Sequence, residues 1–101
     1  MTGDHSVSSA LAAFAAGVRT ENLPADVVQQ AVRCLVDWLG CTIAGAATSE
    51  SARVRAGILA LDPDGSRAAA IVGTGQRASA SYAALANGIA AHLLDFDDTF
   101  N

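Results

Sequence analysis

The sequence predicts a mainly α fold with one short strand near residues 68–72. Three observations carry that prediction. The chain is 51% apolar but only 5% aromatic, and much of the apolar share is alanine. Alanine buries little area, so this composition suits helices packed backbone to backbone rather than a thick core. Apolar residues from Val28 to Thr42 recur at three-and-four spacing. Serine and threonine stand just ahead of the apolar runs, where helix N-caps are wanted. At 101 residues the chain holds at most one domain, and residues 1–101 read as part of a helical one.

Taken in order, residues Met1 to Ser6 read as a disordered lead. Ser8 or Ser9 caps a first helix from about Ala10 to Arg19, with Leu11, Phe14, Ala15 and Val18 on one face. Pro24 suits a first helical turn, where its missing N–H costs nothing, and Asp26 follows where the helix dipole favours negative charge. A long helix then runs to about Ala44. Its second half is apolar on nearly every side, which predicts neighbours all round, and Gly45 reads as its stop. Asp37, alone in that half, is read as a structural carboxylate with a cap or Arg33 for partner, ahead of a site acid. Thr48 or Ser49 caps a third helix from Glu50 to about Leu61, with Glu50, Arg53 and Arg55 wet and Val54, Ile58 and Leu61 dry. Asp62-Pro63-Asp64-Gly65 has the chemistry of a turn. Ala68 to Val72 is the strand, and Gly73-Thr74-Gly75 ends it. A lone GxG is weak evidence for a phosphate loop, and loop geometry is the favoured reading. Ser79 caps a last helix from Ala80 to about Leu93, with Tyr82, Leu85, Ile89 and Leu93 on one face. Asn87-Gly88 inside it is unfavourable for a helix, so it implies close packing or a ligand.

Charge and cysteine usage remove several function classes. Net charge is −4 and the six cationic residues form no run, which argues against nucleic acid and anionic membrane as partners. Cys34 and Cys41, about 10 Å apart along one helix, cannot pair. Their spacing fits no zinc pattern, so they read as small core hydrophobes in a reducing, cytoplasmic compartment. The first nine residues lack a signal peptide's basic and apolar regions, and the longest low-charge stretch is too short and mixed for a membrane span.

The chemistry concentrates in the last residues, Asn87 to Asn101. Asp95, Asp97, Asp98 and Thr99 fall within five positions. If the helix continues, Asp95 and Thr99 share one face, Asp98 flanks Asp95, and His92 lies one turn before it. Asp95 and Thr99 are then the leading site candidates, with Asp98 and His92 in support. Carboxylates held together raise at least one pKa and prepare a general acid or base for a small carboxylic acid. The bland alternative is a solvated acidic helix end, which the dipole disfavours. Asp95-Phe96-Asp97-Asp98-Thr99 also satisfies the DxDxT phosphatase signature, whose nucleophile needs Mg²⁺ and a strand end. Here the preceding residues read as helix. A third possibility is a non-catalytic helical interaction module with the acids on its surface. Because the chain stops two residues past this cluster, a truncated product is expected, with the cluster's partners downstream.

The chain as a whole resembles the N-terminal part of the MmgE/PrpD family, which includes 2-methylcitrate dehydratase and cis-aconitate decarboxylase. The matching pieces are Leu11-Ala12-Ala13-Phe14, then Leu23-Pro24 with Val27-Val28, then Ala31 with Leu35-Val36-Asp37-Trp38-Leu39-Gly40 and Ala44-Gly45. Last comes Ala83-Ala84-Leu85-Ala86-Asn87-Gly88, leading to Ala91-His92 and Leu94-Asp95-Phe96-Asp97-Asp98-Thr99. The resemblance implies a helical domain of a cofactor-free, metal-free lyase that abstracts a proton next to a carboxylate of a citrate-like acid. Dehydration, decarboxylation and epimerisation all occur among relatives. It implies that Asp95 and Thr99 line the active site, that the catalytic histidines and lysines lie beyond Asn101, and that the full-length protein is a homodimer. It also implies that these 101 residues alone are inert.

Overall fold

A computed structural model describes residues 6–63 and 66–96, and the chain divides into two compact units, residues 1–32 and 33–101. The described residues form four α-helices and one two-stranded antiparallel sheet. Helix α2 (Ala25–Ala46) crosses the boundary, with residues 25–32 in the first unit and 33–46 in the second.

In the first unit, helix α1 (Val7–Gly17) starts earlier than the sequence predicts. Ser6 is its cap, not Ser8 or Ser9: the Ser6 hydroxyl accepts the Ser9 N–H at 3.2 Å. The chain turns extended at Val18, makes one 3-10 turn (Thr20–Asn22), and enters α2 through Pro24, whose carbonyl accepts the Val28 N–H at 3.1 Å. The predicted apolar face of α1 is present but uncovered. None of its residues is buried, and Phe14 is 73% exposed.

The second unit is organised by small residues. Helix α2 continues through Gly45 to Ala46, so glycine is not its stop. Gly45 lies where α2 meets helix α4 (Ala80–His92): a Cβ there would overlap the Ala90 carbonyl oxygen. Thr42, Gly45 and Ala46 are the buried residues of α2, and Thr42, fully buried, returns its hydroxyl to the Trp38 carbonyl at 2.7 Å. The rest of this half is not covered as its apolar surround predicts: Leu35, Val36 and Ile43 are all more than half exposed, because the unit packs on one side of α2 only. Cys34 is exposed and Cys41 half-buried, so only Cys41 approaches the role of a core hydrophobe. Asp37 is exposed; among the described residues the only ion pair is Arg53–Glu50, so the expected partner of Asp37 is not found.

Thr48 joins two helices. Its hydroxyl donates to the Gly45 carbonyl at 2.8 Å and accepts the Ser51 N–H of helix α3 (Ser49–Leu61) at 3.2 Å. Helix α3 buries Ser51 and Ile58, with Arg55 and Leu59 half-buried. Val54 and Leu61, expected on the dry face, are exposed, Leu61 by 71%. Arg55, expected on the wet face, spans the unit instead, donating to the Gln76 side chain at 2.7 Å and the Ala46 carbonyl at 3.5 Å. A cation beside a carbonyl of α2's last turn is where the dipole favours one.

The expected strand is present, and it has a partner with no strand signal of its own in the sequence. β1 (Ala69–Ala70) pairs antiparallel with β2 (Arg77–Ala78), Ala69 opposite Ala78. Between them Gly73 takes φ +75°, and its missing Cβ leaves room for Ala46, 3.3 Å from where that Cβ would lie. The GxG segment is therefore a hairpin turn, as its loop reading expected. Ile58, Ile71, Ala78, Ala83 and Ala86 make the core, with Leu59, Ala69, Tyr82 and Ile89 packed against it.

Ser79 stands at the N-cap of α4 but makes no cap bond of its own. Its N–H and hydroxyl both donate, at 2.8 Å, to the Asp62 carboxylate just past α3. Asp62 thus supplies negative charge at the start of α4, where the dipole favours it. Replacing Asp62 with alanine should cost about 1–2 kcal/mol through these lost bonds. Thermal unfolding measures this, and an unchanged midpoint would remove the clamp from the account. The other half of the predicted turn, Asp64 and Gly65, lies outside the described residues, as do Met1 to His5.

Candidate functional site

Helix α4 carries the candidate site at its far end. It is held to the rest of the unit by an alanine stripe, Ala83, Ala86 and Ala90, all buried. The expected face of Tyr82, Leu85, Ile89 and Leu93 is split: Tyr82 and Ile89 pack partly inward, while Leu85 and Leu93 are exposed. Ala90 faces the close approach of α2 at Gly45, while Ala83 and Ala86 pack into the core with Ile58, Ile71 and Ala78.

Asn87 has a structural task. Its side-chain oxygen accepts the Val72 N–H at 2.9 Å and its amide nitrogen donates to the Ala70 carbonyl at 3.1 Å. One planar amide thereby satisfies the Ala70 carbonyl of β1 and the Val72 N–H just beyond it, as a neighbouring strand would. The sequence offers close packing or a ligand as reasons for Asn87-Gly88, and the Asn87 half is answered by this latch. Gly88 is different: a Cβ there would meet nothing within 4 Å.

The helix stops at His92. Leu93 remains in helical geometry (φ −60°, ψ −33°), and Asp95 then takes φ +54°, with its N–H donating to the His92 carbonyl at 3.0 Å. Aspartate is among the few non-glycine residues that accept this left-handed conformation. The helix therefore does not continue into Asp95, which stands on a turn. Asp97, Asp98, Thr99 and Phe100 lie outside the described residues. Of the four candidates, the structure describes His92 and Asp95.

His92 and Asp95 are both exposed. No hydrogen bond joins their side chains among the described residues. His92 closes an apolar groove along α4 lined by Ala84, Leu85, Gly88, Ile89 and Leu93. An imidazole at the end of such a groove, with a carboxylate on the next turn, can exchange protons with a bound acid whose apolar part lies along the helix. Among the described residues no three His, Cys, Asp or Glu side chains converge as metal ligands would. The phosphatase reading requires a strand leading into Asp95, and the residues before it form α4 and its closing turn.

Helices packed through small residues, a helix-latched hairpin and an acidic turn beyond the last helix define a mainly α domain of the kind the sequence predicts. The family model described as the MmgE/PrpD N-terminal domain matches residues 9–101, a span that includes the whole block from His92 to Thr99. The chain belongs to that family. No curated protein sequence and no solved structure matches it. No single helix among the described residues is long and apolar enough to cross a membrane.

Proposed function

We propose that this domain serves a lyase of the MmgE/PrpD kind, acting on a citrate-like di- or tricarboxylic acid. The carrying observation is the family match running through His92-x-x-Asp95-Phe96-Asp97-Asp98-Thr99. In this reading Asp95 and Thr99 bind the carboxylic acid or hydroxyl of the substrate, and Asp98 and His92 support them. A base takes the proton next to a carboxylate, and the freed electron pair forms the carbon–carbon double bond. Hydroxide then leaves with a proton from an acid. In a decarboxylation no hydroxide leaves: carbon dioxide departs without its bonding pair, which stays on carbon and takes up a proton from an acid. The base comes from elsewhere in the protein. The reading also makes the protein a cytoplasmic homodimer that works without metal or organic cofactor.

The 101 residues alone should turn over no citrate-like acid. In the product of the whole reading frame, Asp95→Asn should lower kcat by about 100-fold, the scale of a substrate misplaced by about 1 Å. Steady-state assays that follow the double bond in the ultraviolet, or carbon dioxide release, decide it. Full activity in Asp95→Asn would remove Asp95 from the site. No turnover of any such acid by the unmodified product would set the lyase reading aside. Magnesium-dependent phosphoester hydrolysis would favour the phosphatase instead.

A helical interaction module is the second reading, and the observation behind it is the uncovered apolar surface of Leu11 and Phe14 on α1 and of Leu35 and Val36 on α2.

A further inference from the structure

We propose a second binding site, independent of the lyase reading: a cleft that takes a small oxyanion, the carboxylate or phosphate group of a metabolite-sized ligand. The cleft holds about 340 Å³ and is lined by Leu59 and Asp62 at the end of α3, by Arg67, and by Gly75, Gln76 and Arg77 of the hairpin. Asp62 is clamped to the first residue before α4, so the cleft lies at that helix's start. His92 lies at its other end, about 20 Å away for 13 residues.

Hydrogen-bond accounting within the cleft shows which groups remain available. Arg77 spends Nε on the Arg67 carbonyl at 2.8 Å and Nη2 on the Ala68 carbonyl at 2.6 Å, which leaves its Nη1 hydrogens unspent. Gln76 receives Arg55 at its side-chain oxygen, which leaves its amide N–H₂ as the free end. The Arg67 guanidinium is exposed and makes no side-chain hydrogen bond or ion pair among the described residues. Among the described residues the one carboxylate lining the cleft, Asp62, receives the Ser79 N–H and hydroxyl on its two oxygens.

Among the described residues two guanidinium groups line the cleft against one carboxylate, and Arg55 reaches its edge through Gln76. Three of the six cationic side chains in a chain of net charge −4 therefore gather at one place. Holding backbone carbonyls explains Arg77 and Arg55. It does not explain Arg67, which sits in a left-handed conformation (φ +47°) that costs a side-chain-bearing residue about 1 kcal/mol. Planar guanidinium forks and an amide donor suit the oxygens of a carboxylate or phosphate, and such charge-assisted bonds are the strong ones.

The test is calorimetric titration of the 101-residue chain with inorganic phosphate and, separately, with citrate, in low-salt buffer. The proposal expects saturable binding of at least one; the tighter of the two identifies the source of the oxyanion. Arg67→Ala should weaken it about tenfold, Arg67→Lys should restore part, and Arg53→Ala should change it less than about twofold. Arg53 is exposed on α3 and outside the cleft, and its loss alters net charge equally. No saturable binding up to about 10 mM, a range of about 3 kcal/mol or weaker, overturns the site. So does equal weakening by Arg67→Ala and Arg53→Ala, which would show attraction by overall charge alone.

Discussion

Replacing Gly45 with alanine should destabilise the second unit by about 3 kcal/mol, the upper range for overpacking. The added methyl group would overlap the Ala90 carbonyl oxygen, and the carbonyl carbon lies only 2.9 Å from it. Both atoms belong to helix backbone, so neither can rotate away as a side-chain tip would. Relief requires α4 to move off α2, which opens the packing around Ala46, Ala86 and Ala90. Alanine for glycine in a helix normally stabilises by up to about 1 kcal/mol. Gly40 and Gly88 lie in helices with nothing within 4 Å of a built Cβ, so there the same substitution should raise stability. One substitution thus destabilises at Gly45 and stabilises at Gly40 and Gly88. Urea titrations of the three variants measure it, and a Gly45→Ala protein as stable as Gly88→Ala would refute the close crossing.

Asn87→Asp should loosen the hairpin by about 2 kcal/mol while barely changing side-chain volume. The aspartate keeps an acceptor for the Val72 N–H but turns a second oxygen toward the Ala70 carbonyl, where the amide now donates. Asn87→Ala should cost less, because water can reach the exposed Ala70 side while only the half-buried Val72 N–H loses its partner. Amide hydrogen exchange gives the local readout. Val72 protection should fall at least about tenfold in Asn87→Ala. Unchanged protection there would mean the latch does not hold β1.

Much of the helical framework was legible in the sequence. Pro24 opening α2 and Thr48 capping α3 are local chemistry, and both act where they were expected. What failed depended on non-local placement. The dry face of α3 was assigned to its largest apolar residues, yet Val54 and Leu61 are exposed because α4 presents alanine and comes close on a different face. β2 is two residues long and contains Arg77, so it has no strand pattern of its own; its place is set by Ala69 and Ala70 across the turn. Asn87 was visible as an anomaly within a helix, and that was the available signal for its latch. Composition marks the acidic block but not its geometry at Asp95, where a turn replaces the expected helix. Continuing a helix through an aspartate is locally permitted, and left-handed backbone at that residue is permitted too; the sequence does not choose between them.

The clamp between Asp62 and Ser79 has a consequence for the order in which the unit assembles. A helix that caps itself can begin to form as soon as its own residues are available. Helix α4 draws both its cap acceptors from a residue 17 positions earlier, and its amide at Asn87 waits on a hairpin 15 to 17 positions away. Its nucleation is thereby tied to loop closures that α1 does not need, since Ser6 and Ser9 are neighbours. The clamp and the latch therefore close only when α3, the hairpin and α4 are together, so α4 reaches its full stability jointly with them rather than alone. The turn that carries Asp95 is built on the last carbonyl of that helix, so it shares the same dependence.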